Sequence, residues 1–233
     1  MSLNENISII TITNNSYKRL TDNSIASLRR LCDEISLNVY CMDGVSFKEY
    51  KNSSYSTRRL DYELQIHSKW GDSNWSNVTK QKLVAIHKEL LDQKPFVLMF
   101  DGDIVFNDMK AILEPYQLMM NDQCIDLICQ NEYHDGIKQE LNSGFMLIRN
   151  NELTRDVFDP AKYLNNKKYK HDQAYVNSLR NKLKIHVLDD EHYPNGKYFY
   201  EKKTISPYMV HFNFIFFQKK ESKMKSYKMW FLE

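Results

Sequence analysis

Residues 96–103, FVLMFDGD, carry an unbroken apolar run into two carboxylates separated by one glycine. Five consecutive apolar side chains, Phe96 to Phe100, suit a strand buried on both faces. Burial on both faces is the mark of a parallel α/β sheet with helices on each side. In such sheets, ligands bind beyond the carboxyl ends of the strands, where Asp101 and Asp103 stand. In an extended segment, residues two apart point the same way. Gly102 between them lets the backbone turn and a ligand come close. Two carboxylates so placed repel unless a cation sits between them, and oxygen ligands of this kind suit Mg²⁺ or Mn²⁺. An exposed acidic turn is the plainer alternative.

The flanking pattern fits that sheet. ISIITIT, residues 7–13, reads as a buried strand, and Ile25, Leu28 and Leu31 predict a helix over about residues 21–33. SLNVYCM, residues 36–42, gives a second strand and completes a β-α-β start. Residues 48–78 are polar and turn-rich and read as an irregular excursion over one face. A helix from Val78 carries an apolar stripe of Leu83, Ile86, Leu90 and Leu91. Further along, AILEPYQLMM predicts a short helix kinked or started near Pro115, and CIDLICQ and FMLIRN predict strands. HDQAYVNSLRNKL predicts a helix, KIHVLD a strand, and MVHFNFIF a last apolar segment. The alternation continues to the end, so residues 1–233 read as a single α/β domain with a mostly parallel sheet flanked by helices.

Composition excludes several classes. Only 6 glycines are present and no GxGxxG or GxxxxGK[ST] occurs, against a Gly-rich phosphate loop. A net charge of +2 is too small for a nucleic-acid binder; the one basic cluster, residues 218–228, reads first as a solvated face. The N-terminus has no basic start before an apolar run, and no window nears the roughly 20 apolar residues of a membrane span. Four cysteines without a CxxC pair point to a reducing compartment, so a cytoplasmic location is expected.

Five short segments, in order, resemble the GT-A-fold glycosyltransferases. The resemblance is strongest to the nucleotide-diphospho-sugar transferase family that contains the plant cell-wall xylosyl- and arabinosyltransferases, with glycogenin-like enzymes more distant. KQKLVAIHKELLDQKPFVLMFDGDIVF resembles the basic helix leading into the DxD strand. LNSGFMLIRNN resembles the family's N-[ST]-G segment, HDQAYVN its DQ segment, and DEHYPNGKYF and MVHFN with Trp230 its ending. Together they span about residues 75–231, with a looser match at the first strand.

The resemblance implies a UDP-sugar as sugar donor, a glycan or glycoprotein acceptor, Mn²⁺ or Mg²⁺, and transfer with retention. It implies Asp101, Asp103 and His211 as metal ligands, although His211 alone, within MVHFNF, would read as a core histidine. Asn142, Ser143 and Gly144 would line the donor-sugar pocket; on their own they read as a turn before a strand. Asp172 would receive sugar hydroxyls, its plainer role being a helix N-cap, and Gln173 would lie near the anomeric carbon. Lys82, with Lys80 as competitor, and Thr11, Tyr17 and Gly102 would serve the sugar donor, Tyr17 by stacking on the base. Gln130 and Asn131 stand where donor-sugar selectivity is set, and Lys219 or Lys220 would reach the diphosphate. The family's glycine between the late histidine and lysine is missing; FIFFQ stands there. Acceptor contacts are expected in residues 48–78, with Trp70 and Trp75 as candidates or as core anchors. Two rivals are a haloacid-dehalogenase-like Mg²⁺ phosphatase, on DGDIV and VLDDE, and a catalytically inactive sugar-nucleotide-binding domain.

Overall fold

The computed structural model describes residues 3–60, 75–133, 140–202 and 206–233. In chain order the elements are α1 (Leu3–Asn6), β1 (Ile7–Thr13), α2 (Lys18–Leu31), β2 (Leu37–Cys41), α3 (Gly44–Lys51) and β3 (Ser56–Arg59). Then come α4 (Trp75–Leu90), β4 (Phe96–Phe100), β5 (Ile104–Phe106), α5 (Lys110–Asn121), β6 (Leu127–Glu132) and β7 (Glu140–Arg149). The remainder is α6 (Glu152–Val157), α7 (Asp172–Ser178), β8 (Ile185–Val187), α8 (Gly196–Glu201), β9 (Met209–His211) and α9 (Phe217–Ser226).

A seven-stranded sheet has the order β3-β2-β1-β4-β7-β6-β8. β1 lies parallel to β2 and β4, β2 to β3, and β6 to β8, while β7 runs antiparallel to β4 and β6. The strands sort their side chains with period two. Ile7 and Ile9 of β1 and Phe96, Leu98 and Phe100 of β4 join the core under α2, around Ile25 and Leu28. Ile10, Ile12, Val97 and Met99 join the opposite core, against Leu83, Ile86 and Leu90 of α4. Covering both faces explains why β1 and β4 are buried throughout.

Three expectations change. The stretch after residue 48 is partly regular: α3 runs into it and is N-capped by Asp43, whose carboxylate accepts from the backbone N–H of Val45 and Ser46 at 2.9 and 2.8 Å. β3 follows as a polar sheet edge. Asn142, Ser143 and Gly144 are not a turn but the interior of the ten-residue β7. MVHFNFIF, expected as a last apolar segment, is buried only at its start: β9 ends at His211, Phe214 turns the chain with φ 59°, and Phe214 and Phe216 are exposed.

Away from the strands' carboxyl ends, Glu89 is buried as the hub of a polar cluster. It accepts from Tyr40 Oη at 2.6 Å and Asn38 Nδ2 at 3.1 Å, from Ser8 Oγ, and pairs with Arg58 at 3.2 Å. Glu89→Ala orphans these donors and is expected to cost about 3 kcal/mol. Thermal unfolding should read this as a drop of roughly 6–12 °C. A change under about 2 °C would mean that water replaces the carboxylate.

Candidate active site

β5 and β9 build the site. They pair antiparallel with Ile104 opposite His211, and Phe212 N–H donates to the Asp103 carbonyl at 2.9 Å. This two-stranded ribbon carries a histidine from the end of the chain to the acids beyond β4. One ligand atom from each of Asp101, Asp103 and His211 lies within 4.8 Å of the others. His211 Nε2 is 3.4 Å from Asp103 Oδ1 and 3.9 Å from Asp101 Oδ2.

Two lysines share these acids. Lys82 of α4 is buried, and its ammonium meets Asp101 Oδ1 at 2.7 Å and Oδ2 at 3.0 Å, Asp172 Oδ2 at 2.8 Å and the Ser143 carbonyl at 3.1 Å. Burial opposes its charge, but Asp101 and Asp172 more than offset that and hold its pKa above the ordinary value. Lys80 is also buried, no described acid pairs with it, and burial lowers its pKa. Lys82 is therefore the residue at the acids. Asp172 is the first residue of α7 rather than its N-cap; His171 caps the helix by accepting from Ala174 N–H. The Asp172 carboxylate instead takes Lys82 and the Ser143 hydroxyl, the latter at 2.8 Å.

The second lysine is Lys220, whose ammonium contacts Asp103 Oδ2 and donates to Tyr17 Oη at 2.8 Å. Lys219, its neighbour, is exposed on α9. Tyr17 Oη stands 3.5 Å from Asp103, and Phe217 packs against the ring at 5.2 Å. The phenol is pushed up to about 12, by burial first and then by Asp103, and so stays protonated. Tyr17 thus belongs to the acid cluster.

Electrostatics show what the cluster lacks. Three carboxylates, Asp101, Asp103 and Asp172, face two ammonium groups in a largely buried place. Burial alone would raise Asp103, but Lys220 and His211 hold it well below the usual carboxylate range. Burial pushes Asp101 up in spite of Lys82 and His211. The residues left to hold a cation are two carboxylates and an imidazole. That donor set fits Mn²⁺ or Mg²⁺.

The glycines admit this packing. A Cβ on Gly144 would overlap His211 Cε1 and stand 2.8 Å from Nδ1. A Cβ on Gly102 would overlap Thr21 Oγ1, so that glycine is needed for packing on α2. Within FIFFQ, between His211 and Lys220, Phe214 takes the left-handed conformation, at about 1–2 kcal/mol for an L-residue.

Of the other expected residues, Thr11 is buried inside the sheet and donates to the Phe100 carbonyl at 2.9 Å. Asn131 points away from its strand neighbours and donates to Asp190. Gln130 is buried against His211. Gln173 Nε2 is 3.5 Å from Glu132 Oε1. Trp70 and the Trp75 side chain lie outside the described residues.

The sequence reading missed Glu132. Its buried carboxylate gathers the amides of Asn142, Asn195 at 3.3 Å, Asn213 at 3.4 Å and Gln173. Strand alternation offered the signal, since Gln130 and Glu132 share a face. Asn195 and Asn213 were missed too; each also caps or closes a turn through its oxygen, onto Tyr198 N–H and Gly196 N–H.

The family profile of the nucleotide-diphospho-sugar transferases matches residues 36–226. A UDP-galactose:fucoside alpha-3-galactosyltransferase of Dictyostelium discoideum is 24% identical over 289 residues of alignment, covering 99% of this chain. This chain spans 44% of that relative's length. Among solved structures, the glycosyltransferase GlyE of Streptococcus pneumoniae superposes with a TM-score of 0.56 at 16% identity, over 88% of this chain and 54% of that one. Mouse xyloside xylosyltransferase 1 gives 0.58 at 12% identity, over 90% and 98%. A glycosyltransferase involved in glycosylating the major capsid of PBCV-1 gives 0.57 at 12%, over 95% and 99%. These superpositions establish a GT-A fold. The matched profile covers most of the chain, which displaces the phosphatase reading of DGDIV: the protein belongs to the nucleotide-diphospho-sugar transferase family of glycosyltransferases.

Proposed function

We propose that this protein transfers a sugar from a UDP-sugar to a hydroxyl of a glycan or glycoprotein, with retention and with a divalent cation held by Asp101, Asp103 and His211. The observation that carries this is the convergence of those three ligand atoms, with a lysine against each carboxylate. When bound, the cation supplies Lewis-acid neutralisation of the diphosphate that leaves. The chain's own groups do the rest. Lys82 fixes Asp101 and Asp172 against one another, so that Asp172 can receive sugar hydroxyls from a set position. Lys220 lies behind Asp103, within the reach of a diphosphate that draws it forward. Gln173 offers its amide beside the buried Glu132. An amide is a poor nucleophile, which favours front-face attack, with Gln173 stabilising positive charge on the anomeric carbon and a diphosphate oxygen taking the acceptor's proton.

Nucleotide sugars screened for UDP release should give turnover with Mn²⁺ and none with EDTA, and the product anomer should match the sugar donor. Binding without release would leave an inactive sugar-nucleotide-binding domain in place of an enzyme. Gln173→Ala should lower kcat by about 100-fold with the sugar-donor KM nearly unchanged, the pattern of a group that acts in the transition state. An equal loss in binding would reduce Gln173 to a ground-state contact.

A further inference from the structure

We propose that Gln130 is a positioning residue that sets the tautomer of His211, so that Nε2 offers a lone pair to the cation between Asp101 and Asp103. The inference rests on the cation site proposed above and concerns how this chain prepares it.

Gln130 stands in β6 with no exposed surface. Its Nε2 lies 2.9 Å from the Tyr193 carbonyl, and its Oε1 lies 2.9 Å from His211 Nδ1. A carbonyl only accepts hydrogen bonds, so the amide nitrogen must be the atom facing Tyr193. The amide oxygen then faces the imidazole and can only accept. In a neutral ring, Nδ1 must therefore carry the proton and Nε2 the lone pair. Tyr193 is a fixed post for this chain of bonds: it is buried, its N–H donates to the Asp189 carbonyl at 3.2 Å, and its hydroxyl donates to the Lys110 carbonyl at 3.2 Å.

The proton has a competing place to go. Two carboxylates face Nε2, at 3.4 and 3.9 Å, and each would accept a proton from it. A ring protonated at Nε2 cannot ligate a cation through that atom. Gln130 is the acceptor on the other edge, and its orientation is fixed from behind by a backbone carbonyl rather than by solvent. Gly144 closes the remaining freedom, because the edge carrying Cε1 and Nδ1 packs where a Cβ would stand. The chain Tyr193 C=O, Gln130 amide, His211 imidazole thus aims the lone pair into the acid cluster. Partners of this kind orient metal-bound histidines, and their loss typically weakens metal affinity about 10–100-fold.

The test uses Gln130→Met, which keeps length and loses both amide atoms, and Gln130→Glu, which keeps an acceptor for Nδ1. Mn²⁺ binding is read by electron paramagnetic resonance with UDP present, and folding by thermal unfolding. The tautomer of His211 is read from its ring ¹⁵N shifts in the metal-free protein at mildly alkaline pH. Expected are an Nδ1–H tautomer in the unaltered protein, Mn²⁺ affinity about 10-fold or more weaker in Gln130→Met, and affinity kept in Gln130→Glu. A folded Gln130→Met that binds Mn²⁺ within about twofold of the unaltered protein overturns the proposal. So does an Nε2–H tautomer in the unaltered protein. If Gln130→Met does not fold, Gln130→Glu and the tautomer measurement decide. If the unaltered protein binds no Mn²⁺, the cation reading fails, while the ¹⁵N shifts still decide what Gln130 does to His211.

Discussion

Asp103→Asn should abolish the Mn²⁺-dependent release of UDP proposed above, lowering turnover by about a thousandfold or more, since several kcal/mol of charge stabilisation would leave with the ligand. The carboxylate is held ionised by Lys220 and His211 and keeps Oδ1 toward the imidazole, so it is a ready cation ligand. Asparagine preserves its shape and an acceptor for Lys220, and removes the charge. Asp103→Ala is a poorer probe. It strands the Lys220 ammonium in a buried place with Tyr17 as its remaining hydrogen-bond partner among the described residues, at a cost of about 3–5 kcal/mol. Alanine should therefore lose both function and stability, and asparagine chiefly function. The check is UDP release together with Mn²⁺ affinity and thermal unfolding. Asp103→Asn turning over at near the unaltered rate would defeat the cation assignment.

What made this site readable was chemistry concentrated at strand ends. DGD follows a strand whose burial its own apolar run announces, and Asp101, Asp103 and His211 do converge. What remained hidden depended on register and helix phase. β5 and β9 are three residues each, too short for a period, yet their pairing brings His211 to Asp103 across the chain. Lys219 and Lys220 look alike as letters. The phase of α9 separates them, because Lys220 and Met224 stand four apart on its buried face and Lys219 turns outward. Met224 was the available signal. Asn142, Ser143 and Gly144 misled for the opposite reason. Turn-forming residues sit inside a strand because their partners, Glu132, Asp172 and His211, replace solvent. The sheet was legible from its continuous apolar runs, and polar residues within it read as loops until their partners were in place.

Gly144→Ala should weaken Mn²⁺ binding by about 100-fold while the protein stays folded, an effect close to that of His211→Ala. The added methyl would occupy the place of His211 Cε1 and lie 2.8 Å from Nδ1 and 2.9 Å from Asn142 Oδ1. The strand has little room to yield. Gly144 C=O accepts from Asp101 N–H at 2.7 Å, its N–H donates to Asn142 at 2.7 Å, and Phe145 pairs with Phe100 next door. His211 is equally fixed in its backbone, opposite Ile104 in the ribbon. The imidazole is therefore the part that must yield, and its rotation breaks the bond to Gln130 and swings Nε2 off the acids. Overpacking of this kind costs about 1–3 kcal/mol, which lowers the melting temperature without unfolding the chain. The decisive measurement is the double variant. If the methyl acts through the imidazole, Gly144→Ala adds nothing to the loss already caused by His211→Ala, because the two changes remove one interaction. Additive losses would place the effect in the strand itself, and unweakened binding in Gly144→Ala would mean that His211 does not ligate from the position it holds here.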